Sequence, residues 1–203
     1  MGLIKGITIK LVEADGTEAD IPNVLPIPLN VTQDQQAEWN LGGIRPDYTI
    51  AIPKGDSHNW LGARAAFFDE SWEVIAQSGV TIEHLTPLSW NRRAYVIREM
   101  TDSITLKTLR GRTRSESGLI KDDYKDVEVD ALTHPVLLDN NHERYRDGSK
   151  ISRRVIVRQS DFDAAGVSGH EPTRANVGSE EYAIESYDRA GDIVMVLTLV
   201  TEV

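Results

Sequence analysis

Tyr48-Thr49-Ile50-Ala51-Ile52-Pro53-Lys54-Gly55-Asp56-Ser57-His58 opens the stretch that decides the fold, Asp47 to Met100. The first five residues are a run with β propensity, and Pro53-Lys54-Gly55-Asp56 breaks it. A second apolar run spans Ala63 to Phe68, and Trp72-Glu73-Val74-Ile75 follows the polar Asp69-Glu70-Ser71. The last run, Ala94-Tyr95-Val96-Ile97, is entered through Pro87-Leu88-Ser89-Trp90-Asn91-Arg92-Arg93. Short β-rich runs punctuated by Gly, Pro, Asp and Asn predict an antiparallel β domain. Trp60, Trp72 and Trp90, three of the four Trp, fall in this stretch. A Trp combines large apolar area with one N–H that needs a partner, so these three are expected as core or interface anchors.

On the N-terminal side, Ile7, Ile9 and Leu11 alternate with Thr8 and Lys10, the period of a half-buried strand. Ala14-Asp15-Gly16-Thr17 reads as a hairpin turn, and the return strand runs from Glu18 to Val24, interrupted by Pro22. Pro26 and Pro28 argue for an irregular or edge segment. Val31 to Gly43 is expected to hold a short helix with Thr32 as N-cap, carrying Trp39.

On the C-terminal side the pattern begins again after Thr101-Asp102-Ser103. Ile104 to Leu109 alternates as a strand, and Tyr124 to Leu132 returns through Val127 and Val129. Between them, Arg110 to Asp123 is polar and charged with Gly111 and Gly118, which predicts a long mobile loop. Asp139 to Lys150 reads as a polar connection, and Ser160 to Ser179 as a Gly-, Asp- and Ser-rich one. Arg153 to Arg158 takes the place of Tyr48 to Ile52, and Glu181-Tyr182-Ala183-Ile184-Glu185-Ser186 that of Ser71-Trp72-Glu73-Val74-Ile75-Ala76. Ile193 to Val203 is a final apolar strand. The fold expected is mainly β: two small antiparallel β barrels or sandwiches in tandem with long loops, 1–100 and 101–203, sharing one order of elements.

The whole chain has 203 residues and a net charge of −10, and each half carries −5. That balance favours solubility and argues against a nucleic-acid clamp, which needs concentrated positive charge; an acidic channel wall along which DNA slides is the sharper reading. No apolar run is long enough to span a membrane, and the first residues lack a signal peptide's apolar core. With no Cys there are no disulfides or thiolate metal sites, which suits a reducing cytoplasm.

Chemistry is sparse. Gly55-Asp56-Ser57-His58 brings Asp, Ser and His together, but neighbours in an extended loop point in different directions and form no relay among themselves. Turn chemistry accounts for them, with His58 in a local hydrogen bond. The His at 58, 84, 134, 142 and 170 show no metal-ligand spacing, and no glycine pattern for a nucleotide is present, so no cofactor is expected. Arg110, Arg112 and Arg114 form one basic cluster; Arg144, Arg146, Lys150, Arg153 and Arg154 form a second. Such clusters are solvated loop and rim charges, or they contact an acidic neighbouring subunit or passing phosphate; without interleaved aromatics they read no bases.

The succession Ile52-Pro53-Lys54-Gly55-Asp56, His58, Trp60, Phe67-Phe68, Trp72, Val74, Pro87 and Trp90-Asn91-Arg92 resembles the small neck proteins of tailed bacteriophages, the minor capsid or head–tail connector proteins. The second half, through Arg153 to Phe162, Glu180 to Arg189 and the terminal Val194 to Val200, is similar to the head–tail adaptor or stopper group. The resemblance implies a non-enzymatic virion protein, assembled in the host cytoplasm as a homo-oligomeric ring, hexamer or dodecamer. Its partners would be portal or adaptor on one side and tail-tube or tail-terminator protein on the other, with passing contact to packaged DNA. Interface or lumen candidates are then Arg110, Arg112, Arg114, Trp39, Trp60, Trp90, Arg92 and Arg93. A tail-completion protein, a small hydrolase built on His58, and a generic β binding module remain alternatives.

Overall fold

The computed structural model describes residues 5–28, 44, 46–78, 90–115, 118–133, 152–190 and 193–201. Trp39, the helix expected over Val31–Gly43 and the connection Asp139–Lys150 lie outside these residues. The chain falls into two compact units: Met1–Glu99 with Gly191–Ile193, and Met100–Ala190 with Val194–Val203. Each holds a mainly β, antiparallel closed barrel.

The first barrel comprises β1 (Ile7–Val12), β2 (Glu18–Pro28), β3 (Tyr48–Pro53), β4 (Arg64–Phe67), β5 (Glu70–Ser78) and β6 (Trp90–Arg98). Their order around the wall is β1-β2-β3-β6-β5-β4, and β1 closes against β4 through Leu11 opposite Ala65. Alternation does the sorting, since successive side chains leave a strand on opposite faces. Ile9 and Leu11 point inward, while Lys10 reaches outward to Glu18 at 2.7 Å. The expected turn at Ala14–Thr17 forms, with Gly16 at φ 88° and the Asp15 carboxylate accepting from the Thr17 N–H at 2.9 Å. Pro26 and Pro28 sit two residues apart, so their missing N–H groups fall on one side of β2. The stretch Leu25–Pro28 pairs with β3 alone, which tolerates them.

The second barrel comprises β7 (Asp102–Arg114), β8 (Ile120–Leu132), β9 (Ser152–Arg158), β10 (Arg174–Val177), β11 (Glu180–Ala190) and β12 (Val194–Val200). Its order, β7-β8-β9-β12-β11-β10, repeats that of the first barrel strand for strand. The correspondence extends to side chains. Arg64-Ala65, Glu70, Trp72 and Val74 match Arg174-Ala175, Glu180, Tyr182 and Ile184 at one constant spacing. Ala65 and Ala175 are both fully buried at the closing pair, and Trp72 and Tyr182 are both core residues.

Two expectations are corrected. The loop predicted over Arg110–Asp123 is instead a hairpin: β7 and β8 stay paired out to Arg114 opposite Ile120, and the turn closes with Ser115 N–H donating to the Leu119 carbonyl at 2.8 Å. With most side chains exposed on this part of the arm, no apolar alternation marks it in the sequence. The stretch Ser160–Ser179, read as a polar connection, holds all but the first residue of a short helix, α1 (Gln159–Ala165), and the whole of β10. The helix buries Phe162 and Ala165, too few apolar positions to show a helical period. Its last carbonyls are held by groups from other elements. The Thr108 hydroxyl donates to the Ala165 carbonyl at 2.8 Å, and Lys125 Nζ to the Ala164 carbonyl at 2.7 Å. In the first barrel the equivalent connection, between β3 and β4, supplies the fully buried Trp60.

Among the described residues no helix is long and apolar enough to cross a membrane. The aromatic centre of the first barrel is Trp72. It stacks on Phe67 at 5.4 Å and meets Tyr48 edge-on at 4.8 Å. Trp72→Ala is expected to cost about 3–5 kcal/mol, because truncating a buried aromatic leaves a cavity that a closed barrel cannot collapse. A chemical denaturation curve with an unchanged midpoint for that variant would place the residue wrongly.

Candidate functional site: a groove and its projecting arm

Trp60, Trp90 and Arg92, expected as interface or lumen residues, are used inside the first unit. Trp60 is fully buried and Trp90 nearly so. The Trp90 N–H donates to the Asn23 carbonyl at 2.8 Å, where β2 bulges and Asn23 takes φ 57°. Gly6 lies against the same bulge: a Cβ there would meet the Asn23 carbonyl carbon at 2.5 Å, so no larger residue fits without a backbone shift.

Arg92 and Trp60 converge on Asp56. Pro53-Lys54-Gly55-Asp56 forms a tight turn with Gly55 at φ 91° and the Asp56 N–H donating to Pro53 O at 3.3 Å. The turn drives the Asp56 side chain inward until only 6% is exposed. Its Oδ2 accepts from Trp60 Nε1 at 2.8 Å and from Arg92 Nη2 at 2.8 Å, and its Oδ1 lies 2.7 Å from His58 Nδ1. Arg92 also donates to the Asp56 carbonyl at 2.6 Å. Burying a carboxylate is costly unless its oxygens are hydrogen-bonded in this way. His58 therefore makes the local hydrogen bond expected of it, while Ser57 is exposed. Arg93 is half-buried on β6, its Nε enclosed with no hydrogen-bond partner among the described residues.

Arg110, Arg112 and Arg114 lie on the outer half of β7. Leu109 opposes Tyr124 and Gly111 opposes Asp123, so Arg110 is the extra residue of a β-bulge. Arg112 pairs with Asp122 directly across the arm at 3.0 Å, and Arg114 Nε donates to the Gly118 carbonyl at 3.4 Å. Just after its turn the arm exposes Leu119 and Ile120, at 72% and 70%.

At the base of the arm is a groove of about 460 Å³ within the second unit. Arg110 and Arg112 line it from β7; Glu171 and Glu185 line it from the loop before β10 and from β11. Leu109 and Ile184 add apolar surface. Glu185 is itself a bulge residue, since Ile184 opposes Leu199 and Ser186 opposes Thr198. Tyr187 lines the groove too; its hydroxyl donates to Glu171 and its ring lies 5.1 Å from Phe162. Bulges re-aim side chains, and here two of them turn opposite charges toward one space. Sequence reading marks Arg110 and Arg112 by their clustering. It gives no sign of Glu171, Glu185 or Tyr187, which gather only when the barrel closes.

Beside the groove, Glu181 accepts from Arg174 at 2.8 Å and from Lys107 at 3.0 Å, and both cations face the Tyr124 ring at under 6 Å. Those hydrogen bonds, Arg174's first, hold the Glu181 carboxyl below its ordinary range. Among the described residues no group of three or more His, Asp or Glu is placed to hold a metal ion.

Asp56→Ala strands the Trp60 and Arg92 donors and is expected to cost about 3 kcal/mol, with a larger loss than His58→Ala in the same unfolding assay. Equal losses for the two would show that Asp56 is not the centre of the knot. Glu181 supplies the pH dependence. Its folded-state pKa lies below its unfolded one, so it stabilises the second unit above the ordinary carboxylate range. That contribution is lost as pH falls through the lowered value. The stability gap between the native chain and Glu181→Gln, measured by urea denaturation, should shrink with acidification; a gap that grew would reverse the sign. Comparison with family models, with curated proteins and with solved structures finds no match to the chain, so the chemistry of the groove and arm rests on their own residues.

Proposed function

We propose that the chain is a structural ring component of the neck of a tailed bacteriophage, joining portal or adaptor to tail and helping to retain packaged DNA. The reading joins the motif order from Tyr48 to Arg92 to one structural observation that carries it. That observation is a hairpin arm, β7–β8, that runs on beyond the strand pairing of β10 and exposes an apolar pair just after its turn, Leu119 and Ile120. An exposed apolar pair near the end of an ordered element is available for another surface to cover. A closed ring uses heterologous contacts, each subunit presenting two different complementary faces, and an arm and a groove are of that kind. Repetition around the ring multiplies contacts that are weak singly.

The arginines fit the same role. Arg112 is 67% exposed even in its pair with Asp122. On an arm that reaches a neighbour or the lumen, it and Arg110 and Arg114 meet carboxylates or DNA phosphate. Each such exposed pair is worth only about 0–1 kcal/mol, so the effect belongs to the assembled ring. A hydrolase centred on His58 is supported less well, because Asp56 is committed to Trp60 and Arg92 as well as to His58.

Electron microscopy of the purified chain, alone and mixed with portal-bearing heads, is expected to show rings seated at the portal vertex. Monomers at every concentration, together with heads that gain no density there, would overturn the proposal. Replacing Arg110, Arg112 and Arg114 together with Ser should leave the subunit folded but reduce tail attachment or DNA retention in reconstituted particles. Full retention with normal attachment would show the three to be passive.

A further inference from the structure

We infer that the groove at the base of the β7–β8 arm receives the tip of the same arm from a second copy of the chain. The inference deepens the ring reading and rests on it. Three observations bear on the occupant. The first is an open backbone edge. β10 pairs with β7 only from Ile104 to Lys107, with Thr173 N–H adding a bond to the Lys107 carbonyl. From Leu109 to Arg114 the side of β7 facing away from β8 carries no strand among the described residues. An exposed edge of this kind is a template for an added strand.

The second observation is complementarity. The groove offers Leu109, Ile184 and the Tyr187 ring between a basic and an acidic wall. The tip offers Leu119 and Ile120, preceded in the chain by Arg114 and followed by Lys121 and Asp122. Laid along the open edge, the apolar pair covers the Tyr187 ring, which is itself 40% exposed. Lys121 then meets the wall of Glu171 and Glu185, while Asp122 stays paired with Arg112 of its own arm. Each chain as a whole is acidic, at −10, so copies repel unless the contact itself matches charges in this way.

The third observation is reach. The groove runs out along β7 as far as Arg112, so the tip, level with Arg114, stands two residue steps or about 7 Å beyond it. It cannot fold back into that groove while β7 and β8 remain paired, but it can enter another copy's. Tip and groove being different surfaces, the contact is heterologous and repeats from copy to copy.

The chain has no cysteine, which allows a direct test. Leu119→Cys and Arg110→Cys place thiols at the tip and the groove, on two exposed positions whose replacement leaves the barrel core intact. Mixed single variants, mildly oxidised, are expected to give disulfide-linked dimers only, and the double variant a ladder of higher species. Leu119→Asp with Ile120→Asp should raise the concentration needed for assembly at least about tenfold, the usual scale for losing a central apolar anchor. Phe68→Ser, which alters an exposed aromatic of the first unit, should leave it unchanged. Rings that form while the tip and groove thiols fail to link would overturn this contact and leave the ring reading standing. A chain that stays monomeric and unlinked at every concentration would overturn both. Linking of Leu119→Cys only to itself would replace the arm-in-groove contact with a tip-to-tip one.

Discussion

Each barrel depends on a four-residue strand finding the first strand of its own unit. β4 meets β1 through Arg64, Ala65 and Ala66, and β10 meets β7 through all four of its residues. Without that pairing either sheet would present two raw edges of unpaired N–H and carbonyl groups, together with an uncovered apolar face. In both units the fully buried residue of the closing strand is alanine, Ala65 or Ala175. The long connection that precedes each closing strand supplies what the small residue leaves unfilled: Trp60 in one barrel, and Phe162 with Ala165 in the other. Closure and filling are thus one design used twice.

The two barrels then spend the same backbone differently. β5 and β11 bulge at matching positions, five residues after Glu70 and Glu180. In the first unit the bulge residue is Ile75, fully buried; in the second it is Glu185, which lines the groove. The first unit directs its polar residues inward as well, onto the Asp56 carboxylate, and so rigidifies a loop. In the second unit the β7–β8 hairpin continues as an arm past the closing strand, and its charges face solvent or one another in pairs such as Arg112 with Asp122. The same strand order thus carries a buried carboxylate knot in one unit and an exposed, charge-paired arm in the other.

The strands that were legible in the sequence are of two kinds: alternating ones with one buried face, such as Ile7 to Leu11, and continuous apolar runs buried on both faces, such as Tyr48 to Ile52. The alternation in Ile7 to Leu11, the run Tyr48 to Ile52 and the turn at Asp15-Gly16 are local signals with a local cause, side-chain period and positive-φ glycine. The shared order of the halves was legible for the same reason, through runs such as Trp72 to Ile75 and Tyr182 to Glu185. The need of each tryptophan N–H for an acceptor could also be read in advance, though not which acceptor would serve.

Closure, the arm and the groove belong to the tertiary structure. Leu11 finds Ala65, and Leu106 finds Ala175, across stretches of chain that carry no signal of the pairing. The arm from Arg110 to Asp123 looks like a loop because a ribbon with solvent on both faces has no apolar period; cross-strand partners hold it, and these are known only once the register is known. Glu171, Glu185 and Tyr187 reach Arg110 for the same reason: two bulges and a closed wall aim them. Local periodicity names the strands, but long-range hydrogen bonding chooses their neighbours, and the candidate site lies where those neighbours part.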